Sequence, residues 1–317
     1  MNAPALALVS AAAEAPGWWR SLHLTRLDLL LTPQRPWRLP PEPGVTVRGA
    51  LGDALQRLVC VSPGAPCPTC PARQACLVPQ WLDPGRLGAS AGRPLIPWVD
   101  APGGSCVGPA RPLAVTVWVL GEAPDGDLIV ASLLEMARRG LGPERVPHTI
   151  TRLMAQGAGG PSLLLADGVS VGAWPVSGTL SDHAWLPRRP QGARVYLTHP
   201  ARWSGARADV PPRPAELISA MVRRARQVAR EQGGAVDRYW PAADGLRGQW
   251  RDLQWTPGAR FSARQGETVP LGGFTGVLQL GPEVAPFADL LAAATVLGVG
   301  KNTSCGLGRV VVEWREG

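Results

Sequence analysis

The chain has little lysine and lacks long apolar runs. Lys301 is the only lysine among its 32 basic residues, so arginine supplies nearly all of the positive charge. No stretch of 18 uncharged apolar residues occurs, which excludes an obvious membrane-spanning helix. The first residues, MNAPALALVSAAAEAPGWW, lack the basic start of a secretory signal. We therefore expect a cytoplasmic protein that binds no membrane and begins with a flexible tail over residues 1–20.

The charge balance favours a polyanionic partner. The formal net charge is +8 and the sequence pI is about 9.9. Guanidinium groups suit bidentate contacts with phosphate, so a nucleic acid is a natural ligand. A GC-rich genome would also produce many arginines together with 34 prolines and 38 glycines. Basicity alone therefore does not decide between these explanations, although 45% hydrophobic residues suffice for a sizeable core.

Four of the six cysteines lie close together. Cys60, Cys67, Cys70 and Cys76 form a C-x6-C-x2-C-x5-C pattern, which is typical of a tetrahedral thiolate site. We predict structural zinc, with an iron–sulfur cluster as the alternative that uses the same ligand type. A disulfide framework would need an oxidising compartment, for which the chain lacks a signal. Four thiolates leave no open position for substrate, so the metal would stabilise a loop insertion at about residues 60–80.

The second half of the chain predicts a β-α-β-β-α-β order. Its helix over residues 212–234 is clearly amphipathic, with an apolar face at helical spacing and arginines elsewhere. The remaining segments are a strand over 194–200, two strand-like stretches over 249–264 and 269–282, a helix over 285–297 and a strand over 309–314. This order is that of a ferredoxin-like domain, in which two helices cover one face of a four-stranded antiparallel sheet.

The first half repeats the order with more decoration. Its segments are a strand over 22–32, a helix over 47–60, strands over 94–99 and 112–121, a helix over 127–140 and further strands between 145 and 174. We therefore predict an α+β protein made of two tandem ferredoxin-like (RRM-like) domains over residues 21–185 and 186–317. The four-cysteine insertion belongs to the first domain.

A glycine-rich loop precedes the last strand. Gly298, Gly300, Gly306 and Gly308 surround Lys301, and glycine allows a backbone to turn its N–H groups outward into an anion-binding nest. The order helix-loop-strand does not match a P-loop or a Rossmann fingerprint, both of which need strand-loop-helix. The sequence therefore predicts no nucleotide cofactor.

Several segments together resemble one known group. These are VRGALGDAL before the cysteine loop, RVYLTHPARW, RFSARQGETVPLGGFTGVLQL and the terminal GVGKNTSCGLGRV. A duplicated ferredoxin-like fold ending in such a loop resembles the CRISPR-associated RAMP superfamily, and within it the repeat-processing endoribonucleases of the Cas6 family. The resemblance spans roughly residues 20–314.

The resemblance implies an enzyme that binds the CRISPR repeat stem-loop, cleaves on the 3′ side of the stem and retains the guide RNA. Other Cas subunits of an effector complex would be its partners. Such RNA can be cut without metal when its own 2′-OH attacks the adjacent phosphorus and leaves a 2′,3′-cyclic phosphate. A non-catalytic RAMP subunit that binds guide RNA is the alternative, and a zinc-stabilised DNA-binding module is a third possibility.

Histidine is the usual base for this chemistry, and the chain has only four. We nominate His23, His148 and His183 as catalytic candidates, and we expect a structural role for His199, which precedes a proline at a strand end. The related enzymes often carry a histidine just before the glycine loop, where this chain has Gly298.

The predicted RNA-binding residues are polar, basic or glycine residues of the loop and of other basic stretches. They are Gly300, Lys301, Asn302, Thr303, Ser304, Gly306, Gly308 and Arg309 in and after the loop, Arg260 and Arg264 in the hairpin, Arg48 at the first helix, and Arg188 with Arg189. Trp185 and Trp203 are candidates for stacking on bases.

Overall fold

The computed structural model describes residues 13–63, 69–82, 94–122, 125–262 and 267–317. The elements of its first half are α1 (Gly17–Arg20), β1 (His23–Pro33), β2 (Trp37–Arg38), α2 (Pro43–Val59), α3 (Leu77–Leu82), β3 (Leu95–Val99), β4 (Cys106–Val107), β5 (Leu113–Leu120), α4 (Gly126–Arg139), β6 (His148–Gly157), β7 (Gly160–Ala166), β8 (Val169–Ser170) and β9 (Gly178–Thr179). Those of the second half are β10 (Pro190–Ala201), α5 (Pro214–Glu231), β11 (Gly248–Thr256), β12 (Ala259–Ser262), β13 (Glu267–Pro270), β14 (Gly273–Leu280), α6 (Ala288–Leu297) and β15 (Val310–Glu316).

The first sheet is antiparallel and centred on β1. Its strand order is β3-β5-β1-β6-β7-β8, and β9 adds to the start of β1. Alternate residues of β1 point into the core, so Leu27, Leu29 and Leu31 are almost fully buried while their neighbours are half-buried. Helices α2 and α4 contribute apolar side chains to the same core. The strands and helices therefore follow the predicted β-α-β-β-α-β order, with β7 and β8 extending one edge.

The second sheet has the order β11-β14-β10-β15, with every pairing antiparallel. Numbered along the chain, this is the order 2-3-1-4 that two helices on one face require. The apolar face of α5 is buried as its spacing predicts, with Leu217, Met221 and Val228 in the core beside α6. The predicted strand-like stretches each divide in two, because the chain turns at Pro257 and again at Leu271.

One of the two large hydrophobic clusters contains side chains from both halves, and the described end of the predicted flexible tail over residues 1–20 belongs to it. Residues 1–12 lie outside the described part, but α1 is folded and its Trp18 and Trp19 are buried against second-half residues. The Trp18 indole donates to the buried carboxylate of Asp289, which also accepts hydrogen bonds from Trp240 and Arg238. These hydrogen bonds connect α1 to α6.

In the described part of the chain, no helix is long and apolar enough to cross a membrane.

Candidate functional site

The four glycines of the terminal loop are required by its backbone. Gly298, Gly300, Gly306 and Gly308 have φ angles of 70°, 81°, 78° and 69°, in the left-handed region that other residues rarely adopt. A Cβ on Gly308 would lie 2.0 Å from the carbonyl oxygen of Val299, so the two strands of the loop are in backbone contact. The loop is therefore a compact folded unit between α6 and β15.

The loop turns most of its main-chain donors inward, which differs from the predicted anion-binding nest. The N–H of Lys301 donates to the carbonyl of Arg202 at 2.7 Å, and that of Gly308 donates to Pro200 at 3.0 Å. The N–H groups of Val299, Cys305, Gly306 and Leu307 also bond within the loop. The positive φ angles fold the loop onto the end of β10 instead of opening it to solvent, so its hydrogen bonds stabilise the protein itself.

Side chains at the loop tip divide into two groups. Thr303 and Ser304, both predicted to bind RNA, are buried at 5% and 6% exposure. Lys301 is exposed, and Asn302 is half-buried and donates from Nδ2 to the carbonyl of Pro270 at 3.2 Å. In this arrangement Lys301 is the loop side chain best placed to meet a phosphate.

The loop is also wedged between the two halves of the chain. A Cβ on Gly306 would lie 2.5 Å from the carbonyl oxygen of Pro97 in β3 and 2.9 Å from the Cα of Gly44 in α2. Contacts this close between backbones are possible only for glycine. The loop therefore fixes the position of the α2 amino terminus relative to the second sheet.

A cavity of about 450 Å³ opens beside this junction. Both halves line it. The first half contributes residues 41–43 and 99–103, and the second contributes Thr198, His199, Pro200, Thr256, Thr275, Arg309 and Val311. Its ionisable members are Glu42, Asp100, His199 and Arg309, and we call this cavity the interdomain cleft. A site shared by two domains is a common location for ligands and reactive groups.

His199 stands on the second-half wall of the interdomain cleft. Its Nδ1 lies 3.2 Å from the hydroxyl of Thr198. Burial is the main cause that lowers the pKa of this imidazole, and the positive charge of Arg309 lowers it further; a hydrogen bond with the Val99 backbone and the charge of Asp100 act in the opposite direction. The lowered pKa favours the neutral ring, which is the form that can accept a proton.

Arg309 is held by two first-half groups. Its guanidinium makes an ion pair with Asp100 and lies 5.5 Å from the ring centroid of Trp98. These contacts fix the cation at the cleft wall next to His199. Arg309, which was predicted to bind RNA, is thus held in place by contacts within the protein. Its side chain remains 23% exposed.

Glu42 faces the cleft from the first half, at the N-cap of α2. Its carboxyl group is half-buried and makes no ion pair or side-chain hydrogen bond within the described residues. Burial raises the pKa of this carboxyl, because the charged form loses hydration and gains no partner. Two ionisable groups that line one cavity thus have pKa values moved toward each other, the carboxyl upward and the imidazole downward.

The other histidines lie in different places. His148 is 4% exposed, with Nδ1 2.7 Å from the carbonyl oxygen of Val146 and its ring edge-on to Trp37. The ring nitrogens of His183 are buried, and the ring packs edge-on against Trp118. Burial is the main cause that lowers the pKa of both imidazoles. His148 is therefore buried, and the ring nitrogens of His183 are covered by protein although that residue is half-buried as a whole.

His23 is half-buried at the start of β1, where its backbone exchanges two hydrogen bonds with the Gln232 side chain. The strand register places Leu29, through β5, level with Val99 of the cleft. His23 is six residues from Leu29, which corresponds to about 20 Å along the strand. The structure therefore does not bring the three nominated histidines together, and none of them lines the cleft.

The remaining predicted RNA contacts are dispersed. Arg188 and Arg189 are exposed, whereas Arg48 donates to the carbonyl of Leu82 at 2.7 Å and Arg260 is half-buried. Arg264 lies outside the described residues. Of the two tryptophans nominated for stacking, Trp185 is 38% exposed, but Trp203 is buried against Phe274.

Three of the four clustered cysteines line a second cavity. Cys60, Cys70 and Cys76 are free, half-buried thiols around a space of about 330 Å³ beside the end of α2. Cys67 lies outside the described residues. Within the described part, no three ligand side chains come together as a metal site. The fourfold thiolate site therefore stays a prediction.

The cleft residues Glu42 and His199 were not identified from the sequence as members of one site. His199 precedes a proline at a strand end, and a lone histidine there carries no functional signal. Glu42 stands 157 positions earlier in a proline-rich stretch. Only the docking of the two halves brings them to one cavity.

Comparisons with known proteins cover most of the chain. Residues 195–310 match the family model of the CRISPR-associated endoribonuclease Cas6, and residues 22–170 match a family model described as an N-terminal domain. No curated protein sequence matches the chain.

Solved structures with the same fold are distant in sequence. A product complex of a Thermus thermophilus Cas6 protein aligns with a TM-score of 0.50 and 18% identity, over 92% of this chain and 99% of that chain. A partial Cas6-RT-Cas1-Cas2 complex aligns with a TM-score of 0.53 and 15% identity, over 93% of this chain and 46% of that chain. At these identities the similarity establishes a shared fold.

Proposed function

We propose that this chain, whose residues 195–310 match the family model of the CRISPR-associated endoribonuclease Cas6, is an endoribonuclease that binds the CRISPR repeat stem-loop and cleaves it to release the guide RNA. The observation that carries the proposal is the match of residues 195–310 to the Cas6 endoribonuclease family, in a chain whose two halves both have the β-α-β-β-α-β order. The two halves then act as tandem ferredoxin-like domains that bind RNA between them.

The proposed reaction needs no metal. The 2′-OH of the scissile nucleotide loses its proton and attacks the adjacent phosphorus, the P–O5′ bond breaks, and the 5′ oxygen receives a proton. The products are a 2′,3′-cyclic phosphate and a 5′-OH. The protein must hold the reacting atoms in line, move two protons and stabilise negative charge on the phosphorane.

The interdomain cleft supports this chemistry. Its volume of about 450 Å³ admits a nucleotide and its phosphate, and its walls combine a carboxyl group, an imidazole and a guanidinium. The exposed Lys301, on the neighbouring loop, adds a cation for the RNA backbone. Net positive charge favours binding of the polyanion as a whole.

A non-catalytic RAMP subunit that only binds guide RNA is the second candidate. It is favoured by Gly298, which occupies the position before the loop where related enzymes often carry a histidine. We also propose that other Cas proteins bind this chain, because one structurally similar protein is part of a complex with Cas1 and Cas2. Structural zinc on the four cysteines remains part of the proposal, with an iron–sulfur cluster as its alternative.

Incubation of the protein with an end-labelled repeat hairpin and EDTA tests the function. The proposal predicts cleavage at a single position with products unaffected by the chelator. Tight binding of the hairpin with no product would support the guide-binding subunit instead. Equal affinity for duplex DNA of the same sequence would contradict both and favour the DNA-binding alternative.

A further inference from the structure

The interdomain cleft is lined by an imidazole and a carboxyl group that come from different halves of the chain, His199 and Glu42. His148 is buried with its ring edge-on to Trp37, His183 has buried ring nitrogens and a ring edge-on to Trp118, and His23 lies about 20 Å along β1 from the level of the cleft. His199 and Glu42, by contrast, line the same cavity from opposite halves. The Glu42 carboxyl makes no ion pair or side-chain hydrogen bond within the described residues, and the His199 ring contacts the Thr198 hydroxyl and the Val99 backbone.

We propose that His199 and Glu42 are the catalytic acid–base pair of the RNA cleavage reaction, with His199 taking the 2′-OH proton and Glu42 protonating the leaving 5′ oxygen. This assignment rests on the proposed function. It names the residues that perform the two proton transfers at a site formed only when the two halves meet.

The two proton transfers of the cleavage step are divided between these two groups. The imidazole nitrogen of His199 accepts the proton as the 2′ oxygen forms its bond to phosphorus. The P–O5′ electron pair moves onto the leaving oxygen, which takes the proton of the Glu42 carboxyl group. Exchange with water then returns His199 to its neutral form and Glu42 to its acid form.

The surroundings of the two groups suit these roles. A useful base must be neutral and a useful acid must keep its proton near the working pH. Burial lowers the pKa of His199 with the help of Arg309, and burial raises the pKa of Glu42. Asp100 and Arg309 are the other charged groups on the cleft walls, and because they pair with each other their net charge on the site is small.

Arg309 is the basic residue that lines the cleft. Its ion pair with Asp100 and its contact with Trp98 hold the cation beside His199. Because guanidinium carries five N–H donors, it can keep the ion pair and still donate to a phosphate oxygen.

The proposed acid–base pair predicts a bell-shaped dependence of the cleavage rate on pH. The role of each group determines which limb of the profile it controls. Activity falls at low pH as His199 binds a proton, and it falls at high pH as Glu42 loses its proton. The maximum lies between the two pKa values. The His199→Asn variant should lose the acidic limb of the profile, and the Glu42→Gln variant should lose the alkaline limb.

Single-turnover cleavage of the repeat hairpin tests the assignment. We expect His199→Asn and Glu42→Gln each to slow cleavage about 10²–10⁴-fold, the usual contribution of general acid–base catalysis, while hairpin affinity stays unchanged. Glu283→Gln, which alters an exposed carboxyl group outside the cleft, is the matched control and should cut at the wild-type rate.

A leaving-group substitution separates the two roles. A hairpin with sulfur in place of the scissile 5′ oxygen needs no acid, because a thiolate leaves without protonation. This substrate should restore most of the rate of Glu42→Gln and little of the rate of His199→Asn. Preserved binding by both variants would show that they fold.

The outcomes distinguish this inference from the function on which it rests. If the wild-type protein cuts the hairpin and His199→Asn and Glu42→Gln cut it at the same rate, the assignment is wrong and the endoribonuclease function stands. A large loss of cleavage rate in His23→Ala alone would have the same meaning. Equal rescue of both variants by the sulfur substrate would overturn the division of roles. A wild-type protein that cuts no repeat RNA would overturn the proposed function and this inference together.

Discussion

Replacing Gly306 by alanine tests whether the glycine loop sets the geometry between the two halves. Gly306 has φ of 78°, and a left-handed conformation costs alanine about 1–2 kcal/mol. The added Cβ would also lie 2.5 Å from the Pro97 carbonyl and 2.9 Å from Gly44, both of them backbone atoms that cannot rotate away. Overpacking of this kind costs about 1–3 kcal/mol, so we expect a total loss of about 2–5 kcal/mol in the free energy of unfolding.

Two control glycines separate the contributions. Gly205 has φ of 87°, and no atom lies within 4 Å of the position that a Cβ would take there, so Gly205→Ala should lose only the conformational part, about 1–2 kcal/mol. Gly245 also has open space and no positive φ, so Gly245→Ala should change stability by less than about 0.5 kcal/mol. Urea denaturation measures all three. A Gly306→Ala variant no less stable than Gly205→Ala would refute the claim that Gly306 allows close backbone contact between the two halves.

The same substitution should affect cleavage. Gly306 contacts Gly44, two residues after Glu42. A displacement of the α2 amino terminus therefore moves Glu42 relative to His199, and misplacement of about 1 Å can cost about 100-fold in rate. We expect Gly306→Ala to slow single-turnover cleavage under conditions where it remains folded, and Gly205→Ala to leave the rate unchanged.

Lys301, Asp289 and the clustered cysteines give three separate tests. Lys301→Ala should weaken hairpin binding at low salt and reduce the slope of log K against log[salt] by about 0.7–0.9, the loss of one phosphate contact; an unchanged slope would remove Lys301 from the interface. Asp289→Ala should destabilise the fold by about 2–6 kcal/mol, because two indole N–H groups lose their acceptor at about 1–3 kcal/mol each, whereas the exposed Asp244→Ala should cost little. Purified protein should contain one zinc or one iron–sulfur cluster per chain by elemental analysis; Cys70→Ser should lose it and Cys106→Ser should retain it, and a metal-free wild-type protein would contradict the thiolate site.

The order of secondary structure could be predicted from sequence because it follows local periodicity. Alternation in β1 and the apolar face of α5 are properties of neighbouring residues, and both elements occur where the pattern places them. The four glycines likewise predicted a loop without Cβ atoms before the last strand, and the loop occurs there. What periodicity does not contain is the direction in which such a backbone presents its N–H groups.

The donors of the glycine loop turned inward because their acceptors, the carbonyls of Pro200 and Arg202, come from a strand end about a hundred residues earlier. Burial of Trp18 and Trp203 has the same origin, since each packs against a segment distant in sequence. The cleft itself depends on how the two halves of the chain pack together. From the sequence, candidate site residues could be chosen only by residue type. The structure also shows which of these side chains are buried, paired or exposed.

One substitution in the RNA tests the proposed chemistry most directly. A repeat hairpin with a single 2′-deoxyribose at the scissile nucleotide lacks only the attacking oxygen. The account predicts that the protein binds this hairpin as tightly as the all-ribose RNA and leaves it uncut in EDTA, while the all-ribose RNA yields a 2′,3′-cyclic phosphate. Cleavage of the deoxy-substituted hairpin at the same site would contradict it.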